Sequence, residues 1–133
     1  MSDIFSDAKV NELGYLAPVK CYFNVPEVNR RVLSNGCGPQ SVKLDFVPDI
    51  LLDVDLGIAC EIHDLMYHFG KDDCDKRTAD NFLLFNIINA VNYYCSSNSI
   101  CDRFKRVALR EAAFIYYKSV AYWGTKAFYS NKT

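Results

Sequence analysis

The chain has 133 residues, 50% of them hydrophobic, and a formal net charge of -1. That size supports one hydrophobic core, so a single domain over residues 1–133 is expected. No apolar run reaches the ~18 residues of a membrane span, and Met1-Ser2-Asp3-Ile4-Phe5 lacks the basic head and apolar stretch of a signal peptide.

The charge is unevenly spread. Residues 36–80 hold ten acids against four bases, and residues 81–133 hold seven bases against two acids. An acidic middle suits a cation, and a basic end suits an anionic surface or simply complements the middle. The six cysteines, Cys21, Cys37, Cys60, Cys74, Cys95 and Cys101, form an even set with no C-x-x-C spacing. Three disulfides are expected, which requires an oxidising compartment. A secreted protein whose signal has been removed fits best. A reduced cytosolic protein with buried thiols is the weaker reading, separable by counting free thiols.

In chain order, residues 6–16 suggest a short helix, and Pro18 and Pro26 then break the chain. Asn35-Gly36-Cys37-Gly38-Pro39 is a dense loop signal. Pro48 and Asp49 mark another break. A helix is expected from near Asp55 to about Phe69, stopped by Gly70, with a charged connection from Lys71 to Arg77. A buried helix spans residues 78–94, apolar on most sides. Cys95 to Cys101 reads as a polar loop that its own two cysteines can close. A last helix starts at Asp102 as N-cap and runs to about Phe128. The class is mostly α.

Chemistry concentrates in Cys60-Glu61-Ile62-His63-Asp64-Leu65-Met66-Tyr67. Residues four apart share a helix face, so His63 lies with Tyr67, and Asp64 with Cys60. If Cys37 pairs with Cys60, the glycine loop is clamped beside Asp64. Loop carbonyls plus a carboxylate then make an all-oxygen site suited to Ca²⁺. A lone histidine is usually structural or exposed, as expected for His68, but His63 has suitable neighbours at several positions at once.

These residues resemble the secreted phospholipase A2 superfamily, as a divergent member. The match covers residues 35–94: the Asn35–Pro39 loop, Phe46-Val47-Pro48-Asp49, the Cys-x-x-His-Asp-x-x-Tyr helix and Ala79-Asp80-Asn81-Phe82-Leu83. The resemblance implies two long antiparallel helices carrying the active site, with extra helices and a calcium-binding loop, crosslinked by disulfides. It implies Ca²⁺-dependent hydrolysis of the sn-2 ester of glycerophospholipids at a membrane surface or micelle. His63 would be the general base, Asp64 a Ca²⁺ ligand through its side chain, and Gly36, Gly38 and Gln40 ligands through their carbonyls. The Gly38 amide would stabilise the oxyanion, and Tyr67 would hydrogen-bond the aspartate that orients His63.

Asp75 and Asp80 are both candidates for that aspartate. They diverge by ~140° on one helix, so they do not both face His63. Asp80 is favoured, because a carboxylate on the stripe with Leu84, Ile87 and Val91 needs a partner and a histidine N–H supplies one. Asp75 is expected in or capping the connection. Ala59 and Met66 stand where many relatives have cysteines, and Gln40, after Pro39, stands where many have glycine. That departure motivates an alternative, a catalytically silent lipid- or receptor-binding module, which need not respond to Ca²⁺. The tail offers Phe114, Tyr116, Tyr117, Tyr122, Trp123, Phe128 and Tyr129 with Lys118 and Lys126. Part of this set is expected to seat on phospholipid and at least half to fill the core. No nucleic acid partner is expected, and the sequence sets no oligomeric state.

Overall fold

The structure, a computed structural model, describes residues 3–34, 50–51 and 54–130. It is mostly helical. Three long elements carry the architecture: α2 (Gly57–Phe69), α3 (Asp73–Tyr94) and α4 (Ile100–Trp123). Before them come β1 (Lys9–Val10), β2 (Leu16–Ala17), a π turn at Val19–Phe23, α1 (Glu27–Leu33), β3 (Ile50–Leu51) and β4 (Val54–Asp55). A short α5 (Thr125–Tyr129) follows. Among the described residues no helix is long and apolar enough to cross a membrane.

The expected helix over residues 6–16 is absent. Asn11 accepts from the backbone amides of Leu13 and Tyr15, and Gly14 takes a positive φ of 89°. That local turn folds β1 onto β2 as an antiparallel pair. The buried Asn86 of α3 then clamps β2, accepting from Leu16 N at 2.7 Å and donating to Leu16 O at 2.9 Å. A short antiparallel pair also joins β3 to β4.

Helix α2 keeps nearly its expected bounds. Asp55 accepts from Gly57 N at 2.8 Å at its start, and the Gly70 amide bonds Met66 O at its end. A Cβ on Gly70 would meet the Phe128 ring at 2.8 Å, so glycine here also admits α5. The inward face of α2 buries Ala59, Ile62, Leu65 and Met66 completely. Ile62, Leu65 and Met66 each contribute roughly 1.5–3 kcal/mol, and Ala59 less.

Helix α3 begins five residues earlier than expected. Asp72 is its N-cap, accepting from Asp75 N at 2.9 Å. Asp73 and Asp75 fall in the first turn, where the helix dipole favours acids. Lys76 and Arg77 are therefore helical and not part of a connection. Asp75 is fully buried and accepts from Lys71 N at 2.8 Å, which ties down the α2–α3 turn.

Helix α4 starts with Ser99 as N-cap, not Asp102. The Ser99 hydroxyl accepts from Asp102 N at 3.1 Å, and the Asp102 carboxylate accepts from Ser97 N at 3.1 Å. It stops at Gly124, so the expected continuous helix to Phe128 is broken into α4 and α5. Cross-links between α3 and α4 run in opposite senses along the two helices. Arg106 donates to Cys95 O, Arg110 to Asn92, Tyr117 to Asn81, and Lys76 to Ala121 O. The three long helices thus run up, down and up.

The cysteines depart from the expectation of three disulfides. Cys21, Cys74, Cys95 and Cys101 are free thiols. Cys95 is buried while Cys101 faces solvent, so they do not close their loop. Arg106 closes it instead, donating to the carbonyls of Cys95 and Ser97. Cys21 is buried and its thiol is pushed up to about 11, chiefly by burial and then by Asp7, which leaves it unreactive. Cys60 is disulfide-bonded. Its expected partner, Cys37, lies outside the described residues.

Candidate functional site

The α2–α3 hairpin brings His63, Tyr67 and Asp80 together. All three are buried, at 3%, 7% and 1% exposure. Asp80 Oδ1 lies 2.8 Å from His63 Nε2 and accepts from the Tyr67 hydroxyl at 2.6 Å. The His63 and Tyr67 rings are 4.1 Å apart, as expected for residues one turn apart. Asp75 faces the α2–α3 turn and not His63, so Asp80 is the aspartate that meets the histidine.

A fourth member, Lys76, was hidden in the sequence by its charged neighbours. The residue is only 6% exposed. It donates to Asp80 Oδ2 at 2.8 Å, Ala121 O at 3.1 Å and Val120 O at 3.3 Å. Those three acceptors use all its N–H groups. Two of them are carbonyls in the last turn of α4, which a cation stabilises. The signal available was the Lys76–Asp80 spacing of four, readable once α3 is extended back to Asp73.

Burial opposes ionisation of Asp80, but the bond and charge of His63 and the bonds from Lys76 and Tyr67 outweigh it. The carboxyl is held below the usual carboxylate range. An ionised Asp80 only accepts, so His63 Nε2 carries the proton. Nδ1 is then the basic ring atom. Burial first, and then the Asp80 charge, push the Tyr67 phenol far up, so it stays a neutral donor.

Close packing fixes this group. A Cβ on Gly124 would clash with Val120 O and come within 2.7 Å of the Tyr67 hydroxyl. Glycine at that position lets the end of α4 pass directly over the site. Phe128 packs edge-on to Tyr67 at 5.2 Å.

Asp64 occupies the other face of α2. It is half-buried and accepts from the Ser34 hydroxyl at 3.2 Å. Gly36, Gly38 and Gln40 lie outside the described residues. Among the described residues no group of three or more His, Cys, Asp or Glu side chains is arranged to hold a metal. Asp64 does offer the hard carboxylate oxygens that Ca²⁺ prefers. The expected set takes its other donors from backbone carbonyls. The nearby ion pair of Arg30 with Glu61, 3.1 Å, ties α1 to the outer side of α2. His68 is exposed and packs on Phe69, as a structural histidine would.

A pocket of about 390 Å³ opens between α3 and α4, lined by Asp73, Lys76, Arg77, Asp80, Tyr117, Ala121 and Thr125. Its lining includes neither His63 nor Asp64, so it is not where an ester would meet the histidine. Fewer of the tail aromatics fill the core than the expected half or more, because most of them lie on the outer sides of α4 and α5. Tyr116 and Phe128 are buried, whereas Phe114, Tyr122 and Trp123 are exposed. Compared with protein-family models, curated proteins and solved structures, the chain matches none.

Proposed function

We propose that the protein is a Ca²⁺-dependent phospholipase A2, releasing a fatty acid and a lysophospholipid. The observation that carries this reading is the buried His63–Asp80–Tyr67 group on an antiparallel hairpin, with Asp64 on the adjacent face. A histidine fixed through Nε2 by an ionised carboxylate presents Nδ1 as a base of defined direction.

Nδ1 of His63 takes a proton from water as its oxygen attacks the sn-2 carbonyl carbon. Asp80 stabilises the imidazolium that forms. Tyr67 and Lys76 hold Asp80 in place, so its carboxylate keeps one oxygen toward the ring. The tetrahedral intermediate collapses, and the proton passes from His63 to the leaving glycerol oxygen. The Gly38 amide would serve the oxyanion, as the resemblance implies. Asp64, with the carbonyls of Gly36, Gly38 and Gln40, would hold Ca²⁺, which would supply Lewis acidity toward the ester carbonyl and the substrate phosphate. A Cys37–Cys60 disulfide would anchor that loop to α2. The reading carries with it a secreted protein acting at a phospholipid surface.

The test is fatty-acid release from phosphatidylcholine and phosphatidylglycerol vesicles, with Ca²⁺ and with excess chelator. Release that requires Ca²⁺ supports the proposal. Vesicle binding with no release, indifferent to Ca²⁺, would identify the silent binding module instead.

A further inference from the structure

Helix α4 has two apolar faces. The inward one buries Leu109, Ala113, Tyr116 and Val120 against the rest of the fold. The outward one carries Ile100, Phe104, Val107, Phe114, Ile115 and Tyr122, all exposed, with Phe104 at 74% and Tyr122 at 73%. At ~100° per residue these six fall in one stripe opposite the buried face. Monomers seldom leave such a continuous stripe in water.

Two charges interrupt the stripe, Glu111 and Lys118, both exposed. Their positions are symmetric. Glu111 and Lys118 are equally far from a point between Phe114 and Ile115. So are Val107 and Tyr122. A twofold axis through that point, perpendicular to α4, sets Glu111 of one copy against Lys118 of the other, twice. It also sets Phe114 against Ile115, twice, and Val107 against Tyr122, twice. The helices overlap from Arg106 to Trp123, roughly 27 Å of α4 at 1.5 Å per residue.

We propose that the outward face of α4 is a homodimer interface, on which a second copy of this chain docks antiparallel. The interface is isologous, as a twofold requires. A parallel arrangement would oppose Glu111 to Glu111 and Lys118 to Lys118. A lipid occupant would have to desolvate the Glu111 carboxylate in the middle of the stripe, with no cation on this face closer than Lys118. The second copy instead brings a lysine to that carboxylate, with apolar contacts on either side.

The test is sedimentation equilibrium of the full chain over a wide concentration range, with charge-exchange variants. The proposal expects a reversible dimer. Glu111→Lys and Lys118→Glu each place like charges together and weaken the dimer by about tenfold or more. The double variant Glu111→Lys/Lys118→Glu restores the pairs and returns the affinity to within about threefold of the original. Phe114→Glu leaves a monomer with unchanged far-ultraviolet circular dichroism. A wild-type monomer at every concentration would overturn the proposal. So would a double variant weaker than either single one, a dimer unaffected by Phe114→Glu, or a monomer whose stripe is needed only for vesicle binding.

Discussion

Along α2, His63 and Tyr67 point into α3, where Asp80 and Lys76 complete their bonding. Asp64, one residue on from His63, turns about 100° to an adjacent face and sits half-buried with Ser34 as a donor. The first face is buried, with His63, Tyr67, Lys76 and Asp80 each less than a tenth exposed. The second is more open, with its carboxylate half-buried. Similar chemistry therefore has different consequences on the two sides. A carboxylate that holds a buried cation is part of the fold, and its loss is felt as instability. Under the proposed function, a carboxylate that holds an external ion would be felt chiefly in activity.

That contrast can be broken most sharply at Asp80. Asp80→Asn leaves the Lys76 ammonium buried without its counter-charge, and is expected to cost about 3–5 kcal/mol in denaturant unfolding. Lys76→Met is expected to cost somewhat less, because Asp80 keeps His63 and Tyr67. In the double variant Lys76→Met/Asp80→Asn, most of the loss should be recovered, since no buried charge is left alone. Strictly additive losses would mean the pair is not a unit.

Next in size is Gly124→Ala. Its methyl would meet Val120 O and the Tyr67 hydroxyl, and overpacking of this kind costs roughly 1–3 kcal/mol. Thermal unfolding measures the cost, and a loss of the Tyr67–Asp80 hydrogen bond should accompany it. An unchanged midpoint would mean that the end of α4 does not press on the site.

Acid sharpens the same comparison. The folded-state pKa of Asp80 lies below its unfolded value. Its contribution is therefore fully present above the unfolded value of about 3.9 and is lost as pH falls through the lower folded value. Wild-type stability should decline below about pH 4, and Asp80→Asn should flatten that decline. The smallest stability effect is expected at Asp64. Asp64→Asn should unfold closer to wild type than Asp80→Asn does, while losing the Ca²⁺ response of ester release. A larger loss of stability at Asp64 than at Asp80 would invert the account.

The hairpin was legible in the sequence because its signals are local. The four-residue spacing of His63 and Tyr67 and the stop at Gly70 depend on α2 alone. The choice of Asp80 over Asp75 followed from the cost of a carboxylate on an apolar stripe. Lys76 was illegible because its burial depends on two partners far apart in sequence, Asp80 on its own helix and the carbonyls ending α4. The missing N-terminal helix has a similar cause, since Asn86 selects the β1–β2 turn from 70 residues away. The cysteine pattern misled because an even count says nothing about direction. Cys95 points inward and Cys101 outward.

On the proposed function, His63, held by Asp80, is the base of a Ca²⁺-dependent ester hydrolysis. The most direct measurement is fatty-acid release from phospholipid vesicles by wild-type and His63→Gln protein, each with Ca²⁺ and with chelator. Wild-type protein is expected to release fatty acid only with Ca²⁺, and a folded His63→Gln variant to lose at least about 100-fold. Release that survives either the substitution or the chelator would contradict that function.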